Sequence, residues 1–185
     1  MKNKIKVLKY LIENKEEISI NKIANALKMN YKIAYEEIVK LEKEGIVDIR
    51  KLGNSNQCKF NFNFNDTVFK AEYERRKEFL KNQDFLIIQN DLAELKFSFI
   101  ALMFGSQVKG TATKHSDIDI LTIGGNEKLI SRELSISPDK IHLTSITVED
   151  FINMKNSKEF SVVSETIKDN VILIGIEEYY RLLNI

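Results

Sequence analysis

Within the first 65 residues the spacing of apolar residues changes once, from a helical pattern to an alternating one. Apolar residues recur every three or four positions up to residue 45, which predicts three short helices at about residues 4–12, 19–28 and 30–45. Ser19 and Asn30 are suitable N-cap residues, and Gly45 suits the position after a helix end. From residue 46 to residue 64 apolar residues alternate on both sides of a Gly-Asn-Ser-Asn turn, which predicts a β-hairpin.

Three short helices followed by a hairpin resemble a winged helix-turn-helix, and the resemblance covers residues 1–65. It implies that the third helix enters the DNA major groove and that the hairpin contacts the backbone. The expected DNA contacts are Asn30, Tyr31, Lys32, Tyr35, Lys40, Lys43, Arg50, Lys51 and Lys59. Because lysines dominate this set, we expect salt-sensitive binding with weak sequence selectivity. The alternative is a module for dimerisation or for holding a partner protein.

Residues 66–96 are rich in charge, with apolar residues at helical spacing. This pattern predicts one or two helices that link the two halves of the chain. We interpret the charged run at residues 72–78 as a solvated helix face.

A second pattern begins at the apolar run of residues 97–104, which predicts a buried strand ending at Gly105-Ser106. Ten residues after Ser106 come Asp117 and Asp119, in a second apolar run. Side chains two apart in a strand point to one face, so both carboxylates are aimed at one spot. Mg²⁺ prefers such oxygen ligands, and glycine and serine suit close approach to a phosphate.

Gly-Ser, ten residues and Asp-x-Asp resemble the signature of minimal nucleotidyltransferases in the DNA polymerase beta superfamily. The likeness runs from about residue 97 to residue 185, including a tail typical of a helix, an edge strand and a closing helix. It implies that Asp117 and Asp119 hold Mg²⁺ or Mn²⁺ and that Gly105 and Ser106 bind the β- and γ-phosphates of a nucleoside triphosphate, with ATP as the expected one. Gly110 would turn the loop, and two lysines would neutralise phosphate charge, unless they belong to an ordinary solvated loop: Lys109 and Lys114.

The sequence departs from this family in one respect. Active members carry a third carboxylate on the next strand, which we expect to be antiparallel and to span residues 140–146. The matching position is His142, a poor Mg²⁺ ligand that suits Mn²⁺ or a base, or is simply a hydrogen-bonded strand residue. Asp139 would replace the acid only if the strand shifted. We therefore expect slow or absent transfer with nucleotide binding retained.

Composition narrows the class of protein. The chain has 185 residues, 43% hydrophobic and 30% charged, with one proline, which is typical of a folded globular protein. A single cysteine, Cys58, excludes an internal disulfide and a cysteine-based zinc site. No apolar window is long enough for a membrane span, so we expect a cytoplasmic protein. Residues 1–65 carry 13 basic and 8 acidic side chains, against 15 and 19 in the remainder.

The expected fold class is α/β (α+β) with two domains: a winged helix-turn-helix at residues 1–65, linking helices at 66–96, and a mixed-sheet nucleotidyltransferase domain at 97–185. The first hypothesis is transfer of a nucleoside monophosphate onto a partner protein, such as a toxin counteracted by an antitoxin of this family. The second is a catalytically impaired DNA-binding regulator that senses nucleotide or holds a partner. Modification of tRNA or an antibiotic ranks last. A homodimer is the default, since winged-helix proteins read paired half-sites.

Overall fold

A computed structural model describes residues 2–135, 140–157 and 159–185. The chain divides into two compact units, with the boundary between Tyr73 and Glu74. Within the described ranges, no helix is both long enough and apolar enough to cross a membrane.

The first unit combines three helices with a small antiparallel sheet. Its elements are α1 (Lys2–Glu13), β1 (Ile18–Ser19), α2 (Ile20–Ala26), α3 (Tyr31–Lys43), β2 (Val47–Leu52) and β3 (Ser55–Phe60). The strands lie in the order β1-β3-β2, with β3 paired to both neighbours. The three helices and the hairpin predicted from the sequence are all present.

Local signals explain where these helices begin and end. The Ser19 side chain accepts a hydrogen bond from the Lys22 amide, and Asn30 accepts one from the Lys32 amide at 2.8 Å. Gly45 follows α3 with φ +73°, a left-handed conformation that glycine adopts at little cost. The hairpin is shorter than predicted, because Phe62 has φ +65° and leaves the extended conformation after β3 ends.

The second unit is a four-stranded mixed sheet with helices. Its elements, with the helix that enters it, are α4 (Asp66–Phe79), α5 (Gln83–Ala93), β4 (Ile100–Phe104), α6 (Ser106–Lys109), β5 (Ile118–Ile123), α7 (Glu127–Leu134), β6 (Ile141–Ile146), α8 (Val148–Asn156), α9 (Val162–Lys168), β7 (Val171–Ile174) and α10 (Ile176–Leu183). The strand order is β6-β5-β4-β7. The predicted tail of helix, edge strand and closing helix is present as α9, β7 and α10.

The direction of β6 differs from the prediction. Strand β5 pairs in parallel with β6, whereas β4 is antiparallel to both β5 and β7. The reason is the connection between the strands. Helix α7 lies between β5 and β6 and returns the chain to the end of the sheet at which β5 begins, so β6 runs in the same direction as β5. The expectation of an antiparallel next strand was therefore wrong.

The charged run at residues 72–78 is not wholly solvated either. Glu72 is only 3% exposed and Arg75 only 7%. Arg75 donates a hydrogen bond to the Asn170 carbonyl at 2.9 Å, just beyond the end of α9, and Arg76 donates one to the Leu173 carbonyl at 2.9 Å. The helix thus uses these guanidinium groups as donors to backbone carbonyls in and just before β7.

The core of the second unit fixes the side of β5 on which the acid pair lies. Strand β4 is buried throughout, and a hydrophobic cluster joins it to α5 and α7. Ile118 and Ile120 of β5 belong to this cluster. Because side chains alternate along a strand, Asp117 and Asp119 lie on the opposite side from these two isoleucines.

Candidate functional site

The Gly-Ser loop leaves the buried strand β4 in a tight turn. Gly105 adopts φ +75° and ψ −150°, a conformation that is essentially restricted to glycine. Helix α6 then makes one turn, with the Lys109 amide donating to the Gly105 carbonyl at 3.1 Å. Gly110 ends the helix in the left-handed conformation, φ +68°. The loop therefore presents Gly105 and Ser106 directly at the end of a rigid strand.

The acid pair lies against this loop. In the β4–β5 ladder Asp119 is the partner of Phe104, the residue before Gly105. A Cβ atom placed on Gly105 would overlap the Oδ2 atom of Asp119. Only a glycine thus lets this carboxylate approach the loop backbone so closely. The sequence motifs, separated by ten residues, meet at one point.

The segment between the motifs is held by side-chain hydrogen bonds. The Ser116 hydroxyl accepts from the Thr113 amide at 2.8 Å, and the Gln107 side-chain amide donates to the Ser116 carbonyl at 3.3 Å. Gln107 therefore ties α6 to the residue before Asp117. The sequence gives no signal for this role, because an amide side chain in a loop has no characteristic pattern.

A lysine directly before β6 and a histidine in β6 face the two acids. Asp119 pairs in register with His142, whose Nδ1 atom lies 3.2 Å from the Asp119 Oδ1 atom. Lys140 precedes His142 by two residues, and its Nζ atom lies 2.9 Å from the Asp117 Oδ2 atom. His142 thus occupies the position opposite the acid pair that the sequence suggested. Lys140 was missed, although its spacing from His142 was the available signal.

Lys109 has a different partner. Its Nζ atom lies 2.8 Å from the Glu165 Oε1 atom on α9. This hydrogen bond raises the pKa of Lys109, and the negative charges of Asp169 and Asp119 act in the same direction. Lys109 therefore stays protonated beside the acid pair, anchored by a carboxylate that is not part of that pair.

A polar cavity of about 460 Å³ opens beside Asp117. Lys114 and His115, from the loop before β5, are exposed and line it together with Lys140 and the start of α5. His115 is thus an exposed loop residue. Lys114 lies at this cavity, on the Asp117 side of the acid pair, whereas Gly105 contacts Asp119.

The donor set fits a divalent metal ion that arrives with phosphate. Asp117 and Asp119 are 34% and 27% exposed, so both carboxylates are accessible on one face of β5. Mg²⁺ is commonly held by one or two carboxylates while substrate phosphates and waters complete its shell. Among the described residues, no group of three His, Cys, Asp or Glu side chains could hold a metal ion by itself. Asp139, the other acid considered for a third ligand, lies outside the described residues.

The predicted DNA contacts in the first unit are all exposed: Asn30, Tyr31, Lys32, Tyr35, Lys40, Lys43, Arg50, Lys51 and Lys59. Their roles differ, because Lys40 forms an ion pair with Glu37 at 2.9 Å. On the hairpin, Arg50 and Lys59 lie on one face and Lys51 on the other, by the alternation of the strands. The predicted DNA-contacting cations thus do not form one continuous surface on the hairpin, and the charge of Lys40 is already paired with that of Glu37.

Comparison with known proteins gives one result for the second unit. The family model described as "Polymerase beta, Nucleotidyltransferase" matches residues 87–179, half of the chain. No curated protein and no solved structure matches significantly. The matched region contains β4, the Gly-Ser loop, the acid pair and β6. The chain therefore belongs to the polymerase beta nucleotidyltransferase family.

Proposed function

We propose that this chain binds a nucleoside triphosphate together with Mg²⁺ or Mn²⁺ and transfers the nucleoside monophosphate to an acceptor. The observation that supports this most strongly is the contact between the Gly-Ser loop and the acid pair. Gly105 has no side chain at the point where Asp119 meets the loop. A phosphate at the loop and a metal ion at the carboxylates would then be neighbours.

Each residue has a role in this proposal. The backbone of Gly105 and the hydroxyl of Ser106 bind the terminal phosphates, and Lys109 neutralises part of their charge while Glu165 anchors it. Asp117 and Asp119 hold the metal ion, which supplies electrostatic stabilisation of the transferring phosphate and the leaving pyrophosphate. Gln107 fixes the start of β5, so Asp117 is positioned before substrate arrives. We expect slow transfer, because His142 brings no negative charge to the third position.

Binding is the first experiment. Isothermal titration with a non-hydrolysable ATP analogue, in Mg²⁺ and then in Mn²⁺, should show metal-dependent binding by the wild-type chain. The Asp117→Ala, Asp119→Ala double variant should lose it. A matched variant with two carboxylates removed elsewhere, Glu94→Ala and Glu127→Ala, should retain it. Binding that is absent in wild type, or unchanged in the Asp117, Asp119 variant, would refute the proposed site.

For the acceptor we propose a partner protein, in line with antitoxins of the minimal nucleotidyltransferase type. The test uses ATP labelled at the α-phosphate or at the γ-phosphate, incubated with this chain and with proteins encoded beside its gene. Transfer of a nucleoside monophosphate moves the α-label, and not the γ-label, to the acceptor. Labelling from the γ-phosphate would indicate a different reaction.

A second candidate function is DNA binding by the first unit, with a homodimer reading paired half-sites. It is supported by the exposed N-terminal part of α3, where Tyr31 and Tyr35 are stacked with ring centroids 6.2 Å apart. Fluorescence anisotropy with a labelled duplex should show affinity that falls steeply with salt. Lys32→Glu should weaken binding, whereas Lys40→Glu should have a smaller effect because Glu37 already neutralises Lys40. Equal effects of the two variants would contradict this surface.

A further inference from the structure

Each carboxylate of the acid pair already has a partner at β6: the Lys140 ammonium directly before the strand, or the His142 imidazole within it. The parallel register places Asp119 beside His142, and Lys140 lies two residues before His142 on the same face. The Lys140 ammonium is 2.9 Å from Asp117, and the His142 ring nitrogen is 3.2 Å from Asp119. A divalent ion that binds Asp117 must therefore displace the Lys140 ammonium or share the carboxylate with it.

Lys109 and Lys140 respond differently to such an ion. Lys109 is held by Glu165, a carboxylate outside the acid pair, so it keeps its partner when a metal ion binds. The partner of Lys140 is Asp117, the same carboxylate that would bind the metal ion. Its side chain is 82% exposed, so the ammonium can move away without disturbing packed groups.

We propose that Lys140 exchanges partners during nucleotide binding. In the ligand-free chain it neutralises Asp117 and opposes binding of a divalent ion alone. When a metal ion arrives with a triphosphate, the phosphate oxygens in the metal's shell give the Lys140 ammonium a new anionic partner beside Asp117. This proposal rests on the proposed function, because it requires that the site accept a metal-bound triphosphate.

Partner exchange also explains how this site could bind a metal ion although it lacks the third carboxylate of the family. A third carboxylate would help the protein to hold a metal ion without substrate, whereas Lys140 opposes the ion and His142 adds no negative charge. The charge that is missing from the protein is supplied by the nucleotide. Metal binding is therefore coupled to nucleotide binding in this chain, and Lys140 sets the strength of that coupling.

The experiment compares Lys140→Gln with wild type in two titrations. The first measures Mn²⁺ binding to the free protein by electron paramagnetic resonance, and we expect Lys140→Gln to bind about threefold to tenfold more tightly. The second measures binding of the Mg²⁺-bound ATP analogue, and we expect a loss of about threefold to tenfold. The control is Lys128→Gln, an exposed lysine on α7, which should leave both affinities within about twofold of wild type.

Opposite signs in the two titrations are the diagnostic result. An unchanged Mn²⁺ affinity in Lys140→Gln would overturn the proposal, and so would an analogue affinity that stays the same or rises. Lys140→Arg should restore the wild-type pattern, because it keeps the charge; failure to do so would also count against exchange driven by charge. If wild type binds no analogue, the proposed function fails first, a result that the second titration of wild type reports separately. Circular dichroism melting of each variant verifies folding.

Discussion

The contact between Gly105 and Asp119 makes a sharp prediction for Gly105→Ala. Two costs combine in this variant. The backbone at φ +75° and ψ −150° is a glycine conformation that costs other residues about 1–3 kcal/mol. In addition, the new methyl group would overlap the Asp119 carboxylate, which must rotate away from its present position. We expect a loss of about 1–3 kcal/mol in the free energy of unfolding and at least about tenfold weaker binding of the Mg²⁺-bound ATP analogue.

A matched glycine separates the two costs. Gly45 has φ +73°, but a Cβ atom there would meet nothing within 4 Å. Gly45→Ala should therefore show only the conformational cost, about 1–2 kcal/mol in urea unfolding, with analogue affinity within about twofold of wild type. If Gly105→Ala bound the analogue as well as Gly45→Ala does, the carboxylate would not need the space that glycine leaves, and the prediction would be wrong.

Three further predictions concern single side chains. Burial raises the pKa of the Cys58 thiol to about 12. A disulfide reagent at pH 8 should therefore react slowly with the native chain and rapidly in urea. The stability that depends on the protonated thiol is present below pH 9 and is lost as the pH rises towards 12. Glu165→Gln should lower the free energy of unfolding by less than about 1 kcal/mol, because this ion pair is partly exposed, yet weaken analogue binding by releasing Lys109; unchanged binding would remove Glu165 from the site. His142→Asp adds a carboxylate beside Asp119 and should tighten Mn²⁺ binding to the free protein about tenfold in the same resonance titration, whereas no gain would show that this position does not face the metal.

Sequence signals that act over a few residues predicted most of the helix ends and the hairpin. Ser19, Asn30 and Gly45 mark helix ends because each satisfies or frees the backbone of its own turn, and the structure has the caps and the left-handed glycine that they indicate. The alternating phenylalanines were misleading past Phe60, since alternation continues through Phe62 although no partner strand follows and the backbone turns.

What the sequence could not supply depends on partners distant in the chain. Arg75 lies in a charged run, but it is buried and donates a hydrogen bond to the carbonyl of Asn170, 95 residues later. The direction of β6 is set by the way α7 connects it to β5, and the spacing of apolar residues does not predict that direction. The spacing of Asp117 and Asp119 predicted a common face, but the charge on that face also depends on Lys140, which reaches Asp117 only once β6 is paired.

The strand order has a consequence for the timescale of events at the site. Asp119 lies on β5 and Asp117 directly before it, and β5 is an inner strand bonded to β4 on one side and to β6 on the other. Lys140 and His142 accompany β6, which pairs in the described sheet with β5 alone. Amide hydrogens of inner strands exchange with solvent through rare global opening, and those of edge strands through frequent local opening. We therefore expect slow amide exchange around the carboxylates and faster exchange around Lys140 and His142, the side chains that contact them.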